Sequence, residues 1–372
     1  MLLQNANPKR KSITKPLTFI KQKAMKPALT TFIFTLALLF TFISTAEAQN
    51  RIWIVNNNPG GAGDFSDFNK AQDAATDGDT LYVVPSPNVY GSTNITKQLH
   101  IFGGGYLHGE NNITTHNTGE SSVSIGKISG EQNSGNNTAD GSSFHGLVIE
   151  SSTSPQMLLV ADDISFKRCI IKATITANGN ETYTGISIIQ SLVKTISGPN
   201  RSLYSDFYIS NSLIGGSISN LTGSTIINSI IDGTVKSSVS TSLANLIFEN
   251  NIFISTITSG VFDSDNNNTV SHNIFAQSQP SNPGTNNQFN IDPSTLFIGP
   301  DGNSTDAQWQ LSESSPAKGA GTNGDDAGMF GGPNPYILSG IPAIPRITEF
   351  IAPSSGSGNS GLPVTITIQS EN

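Results

Sequence analysis

A short phrase recurs along the middle of the chain as FHGLVI, FKRCII, IIQSLV, ISNSLI, IINSII, FENNIF and VSHNIF. The copies begin at Phe144, Phe166, Ile188, Ile209, Ile226, Phe248 and Val270. Their fourth residues are Leu147, Cys169, Ser191, Ser212, Ser229, Asn251 and Asn273, which follow one another at intervals of 22, 22, 21, 17, 22 and 22. The first, fifth and sixth positions are apolar in every copy. Two residues before several copies the apolar signal returns, at Ile164, Ile186, Phe207 and Leu246. This is the period-two pattern of strands. One interval has room for about three short strands and their turns, and such a unit cannot bury its own apolar face. Stacked in parallel register it can, with equivalent residues about 4.8 Å apart. The expected fold is therefore all-β: a right-handed parallel β-helix, a solenoid whose seven clear coils span about 30 Å. Its handedness follows the general preference for right-handed crossovers.

In that stack Ser191, Ser212, Ser229, Asn251 and Asn273 stand one above another at a turn between strands. Their hydroxyls and amides are expected to hydrogen-bond along the stack and to turn backbone. Leu147 and Cys169 continue the column in apolar form. A structural turn ladder is the reading, rather than ligands or catalytic groups.

A solenoid must close its ends, because terminal coils expose core and backbone edges. RIWIV reads as a strand. GDFSDFNKAQDAATDGDTLYVV then reads as a capping helix, with Ser66 as N-cap, Asp67 in the first turn, a stripe of Phe68, Ala71 and Ala75, and Gly78 past the end. TLYVV and LHIFGGG are expected as the first coils, and VSIGKIS as a third. The run of GDF, a helix closing on AATDGDTLYV, VYG and ITKQLHIFGGG resembles the opening of secreted right-handed β-helix proteins of the pectin-lyase-like superfamily. The segment WQLSESSPAKGAG…DDAGMFGG, Trp309 to Gly332, resembles the closing segment of such chains. The resemblance covers about residues 51–332. It implies the fold; it does not imply one activity, because that superfamily holds lyases, hydrolases and proteins of no known reaction.

The regions outside the repeat read differently. Residues 1–48 have Lys21, Lys23 and Lys26 before the apolar run PALTTFIFTLALLFTFIST, and Ala46-Glu47-Ala48 after it. This is a secretory signal, with an apolar core short for a membrane span. Met25 already begins a complete signal and is expected to be the true start. The domains are 1–48 signal, 49–332 β-helix with its cap, and 333–372 tail. The tail holds an extended Pro/Gly-rich stretch and two short strands, RITEFIAP and GLPVTITIQSEN, and a secretion or surface-sorting signal is one expectation for it. Without its leader the chain has 12 basic and 26 acidic side chains, since the leader takes 7 of 19 and 1 of 27. A net charge of about −14 excludes a nucleic-acid or anionic-lipid surface. Charged residues are only 12% of the chain, and Cys169 is the single cysteine, so no intrachain disulfide forms. The mature chain is expected to be secreted or cell-surface, without a membrane span, and monomeric.

Polygalacturonase-like N-T-D, D-D and G-H-G blocks and pectate-lyase-like W-x-D-H and R-x-P-x-x-R blocks are absent. No catalytic residue is assigned. DSDNNN at Asp263 begins like a calcium loop, but Asn268 replaces its glycine and Ile274 its bidentate acid. No cofactor is expected, calcium being the one ion the sequence raises, and the five histidines share no metal spacing. Asp162 and Asp163, with Lys167 and Arg168, read as solvated turn charges. Tyr183 lies eight residues before Ser191, and Tyr204 eight before Ser212, so the two should stack. With Arg201, Glu181 and Asp206 near them they form the candidate sugar-binding surface. The expected function is an exported non-catalytic scaffold binding a polysaccharide or a cell surface. The competing expectation is a polysaccharide lyase or glycoside hydrolase. The secreted protein should begin at Gln49, which N-terminal mass spectrometry checks. A reporter fusion showing initiation at Met1 would count against Met25.

Overall fold

The computed structural model describes residues 50–113, 119–130, 138–151, 155–177, 181–198, 204–236, 243–257, 259–262, 264–356, 358 and 361–370. The leader, Arg201 and Asp263 lie outside them. The chain from Asn50 on folds as a right-handed parallel β-helix. A 10-stranded sheet runs in chain order from Ile52–Val55 to Thr269–Ser271, and every neighbouring pair is parallel. A second, 12-stranded sheet carries Tyr90–Ile95, Ser122–Ser129 and the later half of each phrase up to Ile274–Phe275.

The register is that of the repeated phrase. Phe144 pairs with Phe166, then Ile188, Ile209, Ile226, Phe248 and Val270. The sixth positions, Ile149 to Phe275, share the interior with these first positions. Aromatic residues in the same column stack at the coil spacing, as Phe253 on Phe275 at 4.7 Å and Phe275 on Phe289 at 4.8 Å between centroids. Phe289 thereby covers the last full coil. VSIGKIS belongs to the second sheet rather than following LHIFGGG in the first, while RIWIV is itself the first rung.

The cap helix α1 spans Phe68–Ala74, and its buried stripe is Phe68 and Ala71, with Ala75 just beyond. Its N-cap is Asp67, not Ser66: the Asp67 carboxylate accepts the Lys70 N–H at 3.0 Å. A carboxylate reaches the orphan N–H of the third helical residue and also favours the positive end of the helix.

Successive residues of a strand face opposite ways, so the fifth and sixth apolar columns cannot both point inward. The fifth points outward: Val148, Leu192, Ile230, Ile252 and Ile274 are buried beneath the chain that follows the solenoid, against Ala317, Ala327, Met329 and Tyr336. This later chain turns back along the helix axis as a strap. Asn250 accepts the Thr322 N–H, Asn211 donates to the Met329 and Gly331 carbonyls, Gln190 to Pro335 and Arg168 to Ile341. The strap is continuous across position 332. At its far end the buried Asp306 carboxylate accepts from Asn111, Ser304, Tyr336 and the Ser339 N–H, which ties the closing segment to the first coils. Beyond it, Arg346–Ile351 and Thr365–Gln369 pair with each other as an antiparallel hairpin.

The fourth-position side chains lie at the corner between the two sheets. Cys169 N–H donates to Ser191 Oγ, Ser191 to Ser212, Ser212 to Ser229, Ser229 to Asn251 Oδ1, Asn251 to Asn273 and Asn273 to Asn287, all at 2.7–3.2 Å. Asn251→Ala would orphan the buried Ser229 N–H and should destabilise the fold by about 1–3 kcal/mol. Asn251→Ser restores the group used elsewhere in the column and should cost less. Urea denaturation of the two variants checks the order.

Candidate functional site

Tyr183 and Tyr204 do meet on successive coils, bridging in parallel with ring centroids 6.4 Å apart. They are inside the core, at 1% and 0% relative exposure, and Tyr204 also packs on Phe207 and donates to the Leu159 carbonyl. Burial raises the Tyr204 phenol well above its ordinary pKa. Rings enclosed in this way present no face to a sugar, which corrects the expectation that they form a binding surface. Glu181 and Asp206 remain at the surface without them. Asp206, at φ 55°, belongs to a second corner with Asp163, Asn245 and Asn267, where a left-handed residue stands two positions before the strand of the first sheet.

That second corner has its own ladder, formed by Ser142, Ser224 and Asn268, which accept the N–H groups of Leu99, Phe207 and Leu246. Asn268, read above as the residue that spoils a calcium loop, thus completes a turn. Among the described residues no group of three or more His, Cys, Asp or Glu is placed to hold a metal ion.

A concavity of about 410 Å³ lies between the outer face of the first sheet and the strap. It is lined by Lys167, Arg168, Tyr208 and Asn228 on the solenoid side and by Pro333 and Pro335 on the strap. The remaining lining is amide, hydroxyl and aliphatic, and no carboxylate among the described residues lines it. Strand alternation places these residues. Lys167 and Tyr208 are outward positions of the sheet, flanking the inward Phe166 and Ile209. Arg168 and Asn228 occupy the third position of the phrase, where the chain turns the corner. That whole column is left-handed: Gly146, Arg168, Gln190, Asn211, Asn228, Asn250 and His272 have φ between 46° and 62°. Asparagine tolerates this region, whereas arginine and glutamine are strained there by about 1–2 kcal/mol. Their side chains offset the strain by bonding one another and the strap, as Arg168 Nε donates to Gln190 Oε1 at 2.9 Å and Nη1 to the Ile341 carbonyl at 2.6 Å. Arg168 is 2% exposed, so it is a buried fastener and not a solvated turn charge.

The electrostatics of this face are cationic, although the chain is acidic. Burial, and then the Arg168 charge, lower the Lys167 pKa. His145, one rung before Lys167 and stacked on Phe102 at 4.5 Å, is lowered to about 4 by burial first and then by Lys167, His100 and Arg168. Cys169 beneath them is fully buried, and its thiol is pushed up to about 12, which leaves it inert as a nucleophile. The third-position column was the signal that could have located this groove in the sequence, since Asn recurs there at 211, 228 and 250.

No family model matches the chain, and no curated protein matches it in sequence. No helix of the described residues is long and apolar enough to cross a membrane.

His145 is neutral when folded and would titrate at about 6.5 when unfolded. The unfolded chain therefore takes up the proton first, and stability should fall as pH drops from about 6.5 towards about 4. Thermal melts across this window should show a smaller loss in His145→Gln than in the parent protein.

Proposed function

We propose that this is an exported, non-catalytic β-helix scaffold that binds carbohydrate in the groove between the first sheet and the strap. The observation that carries the reading is the lining: an exposed ring, Tyr208, beside amides and two cations, with no carboxylate. Aromatic faces next to hydrogen-bonding amides suit sugar rings. Hydrolysis by paired carboxylates requires two such groups across the scissile bond, and the groove supplies none. The leader supports export, and the opening and closing segments support a likeness to the pectin-lyase-like superfamily, which includes polysaccharide enzymes and proteins of no known reaction.

A second reading, elimination from an acidic sugar, draws on one observation. Lys167 has its pKa lowered by burial beside Arg168, as a general base requires. One experiment separates the readings: a glycan panel scored for retention on the protein and for release of reducing ends or unsaturated products. Retention without product is the expected outcome. Unsaturated product that disappears in Lys167→Ala would establish the second reading instead, and retention by no glycan would remove the first.

A further inference from the structure

We propose that the groove holds a subsite for an N-acylated amino sugar, with Asn228 Oδ1 accepting the acetamido N–H; this rests on the carbohydrate reading above. Five third-position side chains lie under the strap, from Arg168 to Asn250. Four of them bond strap backbone: Arg168 to Ile341, Gln190 to Pro335, Asn211 to Met329 and Gly331, and Asn250 to Thr322. Asn228 differs. It is 5% exposed, it lines the groove, and its Oδ1 has no hydrogen-bond partner among the described residues. A buried acceptor is costly unless a donor meets it; with under 1 Å² of accessible surface, this one meets a ligand's donor by a turn of the Asn228 side chain towards the groove.

The surroundings narrow the donor's chemistry. Ile227, Pro333 and Pro335 give the groove an apolar part beside its amides, which suits the methyl of an N-acyl group. Lys167 lines the same groove and offers positive charge to carbonyl or hydroxyl oxygens, while Arg168 holds the strap. No carboxylate in the lining would balance a free ammonium, so an N-acyl group is favoured over a free amine. Tyr208, 40% exposed, offers a ring face for stacking. A space of about 410 Å³ lies within the ordinary range of small-ligand sites.

The test is calorimetric titration of the mature protein with trimers of N-acetylglucosamine, glucosamine, glucose and galacturonic acid. The acetylated trimer should bind tightest. Asn228→Gly, which keeps the left-handed turn without strain, should weaken it at least tenfold and abolish the preference over glucose. Tyr208→Ala lies on an exposed position, so its melting temperature should hold while all bound trimers weaken alike. Equal binding of the acetylated and glucose trimers, unchanged affinity in Asn228→Gly, or a preference for galacturonate that is lost in Lys167→Ala would each overturn the subsite while leaving carbohydrate binding intact. Binding of no trimer would overturn both.

Discussion

A parallel coil must turn a corner between its sheets, and at each corner a backbone N–H is carried into the interior between strands. A buried N–H without an acceptor is among the costlier defects a fold can hold. From Cys169 to Asn273 the acceptor is a side-chain oxygen from the next coil, serine at 191, 212 and 229 and asparagine at 251, 273 and 287. The apolar interior of the solenoid is possible because this polar seam is satisfied residue by residue.

The same corner explains the strap. To deliver the fourth-position N–H along the axis, the third residue takes the left-handed conformation, which directs its side chain away from the interior. A row of polar side chains thus stands along one edge of the solenoid, next to the outward apolar column of the second sheet. A segment that covers the apolar column while offering backbone carbonyls to the polar row satisfies both at once. Residues Ala317–Ile341 do so, with Met329 and Tyr336 on the apolar residues and the carbonyls of Gly331, Pro335 and Ile341 on the polar ones. Proline suits such a segment, because it is extended and its own missing N–H costs nothing against side chains that donate.

Much of this was legible in the sequence, and what was not has physical causes. The repeated phrase located the seven rungs from Phe144 to Val270 correctly, because a parallel stack repeats its register coil by coil and each strand must keep its inward set. Adjacent apolar positions such as Ile252 and Phe253 carried a further message, since alternation requires that one of them faces out and be covered. The covering segment begins at Ala317, 65 residues beyond Ile252, and runs to Tyr336, and nothing local in either segment announces the pairing. Tyr183 and Tyr204 were stacked correctly and assigned to the wrong side, because a period-two pattern gives the relation between rungs but not which face a lone aromatic in a loop takes. Asp67 displaced Ser66 as the helix cap for a similarly fine reason: both residue types cap well, and only the geometry of the entering chain decides between them.

The groove inherits its properties from this construction. One wall is a strand face that the register fixes, and the other is the strap that the corner residues hold. Asn228 stands where the two meet. Its neighbours in the column are engaged in holding the strap, so they are fastened before any ligand arrives, and the site is preorganised at little further cost in side-chain entropy. Under the proposed function, binding and strap attachment would draw on one row of side chains, because Gln190 and Asn211 both hold the strap and line the groove. The polar corner that the backbone demands is thereby also what builds the groove.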